Sequence, residues 1–364
     1  MENLRIPGPT PCPDEVLQAM TKQMINHRGP EFGQIINRIT ESLKTIFQTK
    51  NDVFLLTGSG TGGLEAAIVN TLSPGDSVLS VSIGVFGDRF ATIAEQFGVE
   101  VIPLKFEWGK AADPDDVRRA LEKEPKIKAV LVTHNETSTG VTNDLESLSK
   151  VIREFDKLLL VDAISSMGSI NLPVDEWGCD VAVTGSQKGW MAPPGLAMVS
   201  ISDAAWKAHA ESKIPSFYWD FARAKSYLEK GQTPWTPAVT TIYAMNTSLE
   251  MLMKEGVANI FARHARIGQI TRDGVKSLGL TLFADEDYAS NTVTAVNAPE
   301  GINANDLRKI LLNENEIVLG GGQQSLDGKI FRIGHLGLVT EEDIKSVITA
   351  LKPALAKLRK EYAT

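Results

Sequence analysis

The chain has few of the residues that build metal centres and disulfide frameworks. Among its 364 residues are two cysteines, Cys12 and Cys179, and five histidines, none of them in an i, i+4 pair. Metal sites on helices commonly use histidines at that spacing, and disulfide-rich folds need several cysteine pairs. The sequence therefore predicts no metal site, and it suits a reducing compartment.

Positive charge and long apolar runs are also scarce. The formal net charge is −8, whereas proteins that bind nucleic acid or anionic membranes present a basic face. No uncharged stretch approaches the length of a membrane span, and the first residues lack the pattern of a signal peptide. We expect a cytoplasmic protein with neither nucleic acid nor a membrane among its partners.

Short apolar runs alternate with longer amphipathic segments from about residue 50 to residue 200. Seven runs rich in Val, Leu and Ile are predicted strands: Val53–Thr57, Ser77–Val81, Val99–Leu104, Ala129–Thr133, Leu158–Val161, Val181–Thr184 and Ala197–Ile201. Four segments between them are predicted helices: Thr61–Leu72, Phe86–Phe97, Pro114–Glu122 and Leu145–Phe155. Apolar strands joined by helices predict an α/β fold with a mostly parallel sheet covered on both faces.

The pattern changes after residue 235. A long helical stretch, Thr240–Ser277, is interrupted at Glu255-Gly256. Shorter predicted strands and two predicted helices follow: Thr281–Phe283, Thr292–Val296, Glu316–Leu319 and Lys329–Ile333, with Asn305–Leu312 and Glu341–Leu358. The prolines of Ile6–Asp14 predict an irregular arm. We therefore expect an N-terminal extended arm at 1–15, a large domain at 16–255 and a small α+β domain at 256–364, hinged near Gly256.

Lys188 lies in a tight, glycine-flanked turn after an apolar strand. A lysine there is poorly placed as a solvated charge. It suits an amine nucleophile whose ammonium form is disfavoured, as a Schiff base with an aldehyde cofactor requires. Asp162 closes another apolar strand, at the sheet edge where ligands bind, and its carboxylate suits a pyridinium nitrogen. The alternative role for Asp162 is a helix cap.

A glycine-rich turn, Thr57–Gly63, follows a strand and opens a helix. Backbone amides at such a helix start form an anion site suited to a phosphate. The turn also matches G-x-G-x-x-G, but a dinucleotide fold needs an acid at the end of the next strand, which here reads Val81-Ser82-Ile83. The sequence therefore favours a single phosphate group, with tight packing of the turn as the alternative.

Phe86 and Arg332 each have two interpretations. The ring of Phe86 either stacks on a planar ligand or fills the core. Arg332 stands between two apolar residues of a strand, where it either clamps a substrate carboxylate or forms a structural ion pair. The segment His134–Gly140 gathers hydroxyl groups at the same edge of the sheet.

Several motifs together resemble those of the class V aminotransferases, which are pyridoxal-phosphate enzymes, and within them the alanine–glyoxylate and serine–glyoxylate group. The motifs extend over essentially the whole chain: Pro7-Gly8-Pro9-Thr10-Pro11, His27-Arg28-Gly29-Pro30-Glu31-Phe32, Gly58-Ser59-Gly60-Thr61, Leu159-Leu160-Val161-Asp162-Ala163, Gly185-Ser186-Gln187-Lys188 and Phe331-Arg332-Ile333-Gly334. The resemblance implies fold type I, with a large domain built on a mostly parallel seven-stranded sheet and a smaller C-terminal α+β domain.

The resemblance also implies roles for individual residues. Lys188 would form the Schiff base with pyridoxal 5'-phosphate and move the substrate α-proton, and Asp162 would keep the pyridine nitrogen protonated. Arg332 would clamp the substrate carboxylate in a pocket lined by Gly8. The phosphate would be bound by Ser59, Gly60, Thr61 and Gln187. Phe86 and Ile164 would contact the two faces of the ring, and Thr137 would lie near the ring oxygen. Thr233 and Thr236 would reach the phosphate from a neighbouring subunit.

The predicted function is transfer of an amino group from alanine or serine to glyoxylate or pyruvate, by a ping-pong mechanism in a homodimer with shared active sites. Related alternatives are a ureidoglycine–glyoxylate or phosphonate-type transaminase. From other classes, Ser186-x-Lys188 has the spacing of a Ser–Lys hydrolase, and a cofactor-binding scaffold without catalysis is a further alternative. Cysteine desulfuration would need a nucleophilic cysteine after the lysine, whereas Cys12 and Cys179 both precede it.

Overall fold

The structure, a computed structural model, describes residues 2–361. A central sheet contains seven strands in the order β2-β10-β9-β8-β5-β3-β4. In chain order these strands are β2 Asp52–Thr57, β3 Ser77–Ser82, β4 Glu100–Lys105, β5 Ile127–Thr133, β8 Leu158–Asp162, β9 Val181–Gly185 and β10 Leu196–Ile201. Strands β4, β3, β5, β8 and β9 run parallel, and β10 is antiparallel to both β9 and β2. The prediction of a mostly parallel sheet is confirmed.

Both faces of this sheet are covered by apolar clusters. Consecutive residues of each strand point to opposite sides, so each strand contributes to both clusters. On β8, Leu159 and Val161 pack into one apolar cluster, whereas Leu160 packs into the cluster on the other face. Ten helices accompany the sheet: α1 Asp14–Ala19, α2 Pro30–Phe47, α3 Gly60–Thr71, α4 Val85–Gln96, α5 Pro114–Lys123, α6 Leu145–Glu154, α7 Val174–Trp177, α8 Asp203–Glu211, α9 Phe221–Leu228 and α10 Val239–Glu255. Helix α2 was not predicted from the sequence patterns, although its apolar side packs into the core.

A second sheet of four strands has the order β1-β12-β13-β11. Its strands are β1 Asn3–Arg5, β11 Val293–Asn297, β12 Ile317–Gly321 and β13 Ile330–Gly334. Three helices pack with it: α11 Val257–Ser277, α12 Ala304–Asn315 and α13 Glu341–Glu361. A two-stranded hairpin, β6 Asn135–Glu136 and β7 Val141–Thr142, completes the strands of the described residues.

One sequence prediction is refined here and one needs correction. Within the segment expected to be an extended arm, residues 3–5 form β1, because β12 leaves an edge with unpaired backbone groups that Asn3–Arg5 can satisfy in parallel register. Residues 281–283 were expected to be a strand, but only an isolated bridge between Leu282 and Val296 forms there. The break at Gly256 lies between α10 and α11 as predicted, with φ of 87°. The domain boundaries themselves stay predictions.

No helix within residues 2–361 has both the length and the apolar character needed to cross a lipid bilayer.

Candidate active site

The carboxyl ends of the parallel strands meet at one edge of the central sheet and bring the predicted residues together. Asp162 is the last residue of β8 and lies in register with Thr133 of β5 and Val183 of β9. Its side chain is buried, and one carboxylate oxygen accepts a 3.0 Å hydrogen bond from the amide of Ile164. The local turn therefore fixes the carboxylate, and no helix begins there for it to cap.

Lys188 follows β9 and lies beneath the N-terminal segment. Its Nζ donates a 2.7 Å hydrogen bond to the carbonyl oxygen of Pro7. A β-carbon added to Gly8 would lie 2.6 Å from the same Nζ, so Gly8 lies directly against the lysine amine, and its predicted contact with substrate stays a prediction. Thr10 holds the lysine turn through its hydroxyl, 3.0 Å from the Lys188 carbonyl oxygen, and through its amide, 3.1 Å from the Gln187 carbonyl oxygen.

Burial moves the pKa values of Lys188 and Asp162 in opposite directions, because in both it disfavours the charged form. The pKa of Lys188 falls to about 8, with the Asp162 charge opposing the shift and Arg332 and Arg89 adding to it. The pKa of Asp162 rises to about 7, and the Glu136 charge adds to that rise while the Ile164 amide opposes it. An amine with a lowered pKa is a competent nucleophile and base near neutral pH.

The phosphate turn places open backbone amides at the start of α3. Ser59 occupies the N-cap position with extended backbone, and its side chain makes no capping hydrogen bond. The first amides of a helix have no partner within it, so those of Gly60 and Thr61 are available to an anion. A β-carbon on Gly60 would lie 2.6 Å from the Ile164 side chain, and glycine is therefore the residue that lets this turn approach Ile164 so closely.

The residues present fit pyridoxal phosphate. The Oε1 atom of Gln187 is buried without a hydrogen-bond partner among the described residues. Its carboxamide lies beside Gly185, whose added β-carbon would be 2.9 Å from Oε1 and 3.4 Å from the Gly60 amide nitrogen. The Nε2 donor of the same carboxamide would lie 3.5 Å from that β-carbon. Together with the open helix amides it provides the kind of donor set that a phosphate needs.

Arg332 lies on β13 and is buried, yet no carboxylate of residues 2–361 pairs with it. Its donors reach three neutral oxygens, the carbonyls of Gly321 and Thr137 at 2.8 and 2.9 Å and Oε1 of Gln323 at 3.4 Å. Burial lowers the pKa of Arg332 to about 10, and the Glu136 charge opposes that shift. No structural ion pair forms with Arg332 within the described residues, and its binding of a substrate carboxylate stays a prediction.

Thr137 contacts this arginine, and the amide of Phe86 is bound to Glu136, the residue before Thr137. Phe86 is the second residue of α4 and is half-buried, so its ring does not fill the core. The guanidinium carbon of Arg89 lies 4.7 Å from the ring centroid. Thr137 is buried, and its carbonyl oxygen receives the hydrogen bond from Arg332 described above.

Ser186 and Lys188 do not form a nucleophile–base pair. The Ser186 hydroxyl donates a 2.6 Å hydrogen bond to the Pro193 carbonyl oxygen and accepts one from the Leu196 amide at 3.2 Å. The Lys188 amine is bound to Pro7 instead, so the contact that a Ser–Lys hydrolase requires is not formed.

Thr233 and Thr236 lie on a loop beside the end of β2. Arg28 fixes the loop through Nη1, 2.7 Å from the Thr233 carbonyl oxygen, and Nη2, 3.0 Å from that of Pro234. Trp235 donates from Nε1 to the carbonyl oxygen of Tyr218 at 3.1 Å. Thr236 is exposed, and the predicted contact with a neighbouring subunit's phosphate stays a prediction.

Sequence reasoning missed two functional neighbours of this site. Pro7 holds the lysine amine through its backbone carbonyl, and a backbone contact leaves no signal in residue type. Glu136 is fully buried between Phe86 and Arg332, and the signal was present, since a carboxylate among the hydroxyls of His134–Gly140 is unusual for a buried segment.

Comparison with known proteins identifies the family. The family model described as Aminotransferase class-V matches residues 3–347. A protein named "Soluble hydrogenase, small subunit" from Synechococcus sp. is 44% identical over 98% of this chain and 93% of its own length. L-aspartate–glyoxylate aminotransferase of Paracoccus denitrificans is 39% identical over 97% of this chain and 91% of its own. The structure of alanine–glyoxylate aminotransferase from Nostoc sp. has a TM-score of 0.94 at 32% identity, covering 97% of this chain and 95% of that one.

The chain belongs to the class V aminotransferase family and has the fold of its members. It is a pyridoxal-phosphate-dependent transaminase, as the sequence motifs predicted.

Proposed function

We propose that this transaminase moves the amino group of a small amino acid, alanine or serine, to a small 2-oxo acid, glyoxylate or pyruvate. The buried Lys188 amine near the Asp162 carboxyl supports the proposal most directly, because burial lowers the lysine pKa to about 8 and so increases the fraction of neutral amine near neutral pH. Glyoxylate is the acceptor in the names of the Paracoccus and Nostoc relatives, whereas their donors differ.

Pyridoxal phosphate, when bound, supplies an aldehyde that condenses with amines and a ring that withdraws electrons from the substrate α-carbon. The side chains then have separate tasks. Lys188 takes the α-proton of the donor and returns a proton later, which its pKa of about 8 allows. Asp162 holds a proton at the pyridine nitrogen by providing a fixed counter-charge. Thr137 would place its hydroxyl at the ring oxygen.

Binding and orientation fall to the surrounding residues. Ser59, Gly60, Thr61 and Gln187 would bind the phosphate, and Phe86 and Ile164 would contact opposite faces of the ring. Arg332 would bind the carboxylate that amino donor and oxo-acid acceptor have in common, in a pocket closed by Gly8. One carboxylate clamp then serves both half-reactions, which a ping-pong mechanism requires because donor and acceptor use the same site in turn.

A homodimer is part of this proposal. Phe217 and Tyr218 are large exposed side chains, and with Trp235 they form an aromatic surface next to the loop that carries Thr233 and Thr236. Exposed aromatic patches of this kind are typical of protein–protein interfaces. We propose that a second copy covers this surface and that Thr233 and Thr236 complete the partner's phosphate site.

Single half-reactions test the substrates. The purified enzyme with its cofactor is mixed with alanine, serine, aspartate or ureidoglycine, and the change of the cofactor absorption band is followed. The proposal predicts that alanine or serine reacts fastest and that glyoxylate then restores the original band. A faster reaction with aspartate or ureidoglycine would overturn the donor assignment, and no spectral change with any donor would support a scaffold without catalysis.

Subunit complementation tests the shared site. Chains carrying Lys188→Ala are mixed with chains carrying Thr233→Ala and Thr236→Ala under conditions that exchange subunits. In a mixed dimer one site combines an intact lysine with an intact partner loop, so activity should exceed that of either variant alone. No gain in activity from a verified mixed dimer would contradict the role of the loop.

Hydrogenase activity, which the name of the Synechococcus relative suggests for that protein, is not part of our proposal for this chain. Iron–sulfur clusters are commonly held by four cysteine thiolates, and this sequence contains two cysteines in all. Nor do the described residues contain a group of three or more His, Cys, Asp or Glu side chains placed to hold a metal ion.

A further inference from the structure

Glu136 is a fully buried carboxylate with four hydrogen-bond donors around it. Its Oε2 accepts from the amides of Phe86 at 2.9 Å and Gly87 at 3.1 Å. Its Oε1 accepts from the amide of Ser138 at 3.1 Å and from the Ser138 hydroxyl at 2.6 Å. The carboxylate therefore sits at the N-terminus of α4, where a negative charge is favourable and where the preceding residue, Gly84, supplies no side-chain cap.

The fit between this carboxylate and the start of α4 is close. The Ser138 hydroxyl also accepts the Val85 amide at 3.1 Å, so three consecutive amides of the helix are held by the Glu136–Ser138 pair. A β-carbon on Gly84 would lie 2.5 Å from the Ser138 Oγ and 2.6 Å from the Glu136 Cγ. This packing holds the first turn of α4 in one position, and the backbone of Phe86 is held with it.

Glu136 also adjoins the residue that holds Arg332. Thr137 follows Glu136 directly, and its carbonyl oxygen accepts the 2.9 Å hydrogen bond from Arg332. Glu136 is also the acidic group whose charge acts on Arg332, although the two side chains form no direct ion pair. Burying a carboxylate is costly, since burial raises the pKa of Glu136 despite its four donors. A stable fold alone would be served as well by a neutral cap.

We propose that Glu136 is a positioning residue of the transaminase, whose carboxylate orients Phe86 against the cofactor ring and Thr137 against the ring oxygen and Arg332. The proposal rests on the roles proposed above for Phe86 and Thr137. Glu136 itself makes no contact with substrate in this arrangement, so it acts through its neighbours.

The test is Glu136→Gln, which keeps the shape of the side chain but turns one of two acceptor oxygens into a donor that faces helix amides. Titration of the cofactor-free variant with pyridoxal phosphate should give a Kd raised about tenfold or more, as expected for loss of charge-assisted hydrogen bonds. The circular-dichroism band of the bound cofactor should also weaken, because the ring is no longer held in one orientation.

Asp180→Asn is the matched control. Asp180 also has a pKa raised by burial, and it accepts hydrogen bonds from the Leu159 amide at 2.9 Å and the Ser202 hydroxyl at 2.6 Å. It precedes β9, at the opposite edge of the central sheet from Lys188. We expect this variant to lose thermal stability without a change in the cofactor Kd or band. A Glu136→Gln variant that binds the cofactor like the wild type would overturn the proposal.

A double-mutant cycle with Phe86→Leu separates positioning from a general effect on the fold. If Glu136 acts through Phe86, Glu136→Gln should raise the cofactor Kd less in the Phe86→Leu background than in the wild type. Fully additive effects would overturn the claim that Glu136 positions Phe86. An unchanged Kd for Phe86→Leu alone would instead contradict the stacking role under the proposed function. Should Glu136→Gln fail to fold, Ser138→Ala removes one donor to the carboxylate and should raise the Kd in the same direction, and an unchanged Kd there would count against the proposal.

Discussion

The amine of Lys188 is hydrogen-bonded at 2.7 Å to the carbonyl oxygen of Pro7, 181 residues earlier in the chain. The strand just before Pro7, Asn3–Arg5, belongs to the four-stranded sheet, whereas Lys188 follows a strand of the seven-stranded one. The lysine is therefore enclosed by parts of both sheets. Gly337, after the last strand of the smaller sheet, closes the same region, since its added β-carbon would lie 3.0 Å from the Lys188 carbonyl oxygen.

Gly8→Ala should remove most of the activity. Gly8 has φ of 136°, and the new methyl group would lie 2.6 Å from the Lys188 Nζ, so the amine has to move. Displacing a reacting group by about 1 Å can cost on the order of a hundredfold in rate. Steady-state kinetics with the best donor measures the loss of kcat.

Gly75→Ala serves as its control. Gly75 also has a positive φ, of 86°, but an added β-carbon meets no atom within 4 Å. This variant should lose about 1 kcal/mol of stability from backbone strain and keep its kcat. Equal losses of kcat in both variants would show that backbone strain, and not contact with the lysine, governs the effect.

Lys188→Ala should abolish turnover while leaving a folded protein that binds the cofactor without a covalent link. General acid–base catalysis by a positioned side chain contributes roughly a hundred- to ten-thousandfold, and this variant loses the nucleophile as well. Borohydride reduction followed by mass spectrometry should find the cofactor attached to the wild type and not to the variant. Retained turnover would refute the assignment of the lysine.

Asp162→Asn should change the pH dependence of stability of the cofactor-free protein. The pKa of Asp162 is raised from 3.8 to about 7 in the folded state, so its stabilising contribution is present below pH 3.8 and is lost as the pH rises through about 7. The variant does not titrate there, and it keeps an acceptor for the Ile164 amide. At pH 8 the variant should therefore be more stable than the wild type. A pKa shift of this size corresponds to a gain of, at most, about a few kcal/mol in the free energy of unfolding.

Denaturant unfolding of both cofactor-free proteins from about pH 4 to about pH 8, which spans the titration of Asp162, measures that difference. With the cofactor present, the same variant should lose on the order of a hundredfold in kcat, because an amide provides no negative charge for the pyridine nitrogen. A parallel pH profile for wild type and variant would contradict the buried, titrating state of Asp162.

Arg332→Lys should raise the KM for amino donor and oxo acid alike, by about ten- to a hundredfold, because an ammonium group cannot bind a carboxylate in bidentate fashion. Arg308→Lys is the control, since Arg308 lies on α12 and donates from Nε to the Leu319 carbonyl oxygen at 2.9 Å. Its KM values should stay near those of the wild type. A rise confined to one of the two substrates would argue against a shared carboxylate clamp.

The sequence was sufficient to predict the strands of the central sheet, because their local apolar patterns are strong. All seven predicted strands of the central sheet form within two residues of their expected ends, since each is an apolar run bounded by turn residues. Residues 281–283 failed because a short alternation of apolar residues gives a strand only where a neighbouring edge is available. The strand at Asn3–Arg5 was missed for the converse reason, because its partner lies more than three hundred residues away.

The sequence alone indicated the reaction class, through motifs that together resemble a known family, and residue type and position along the strands marked Lys188, Asp162 and the glycine-rich turn as candidates for its chemistry. Tertiary structure decided what surrounds them. It placed Pro7 and Gly8 over the lysine, gave Arg332 neutral oxygens as its partners within residues 2–361, and put the Glu136 carboxylate at the first turn of α4. Those features depend on burial and on contacts between distant segments, and burial is what moves the pKa values on which the chemistry relies.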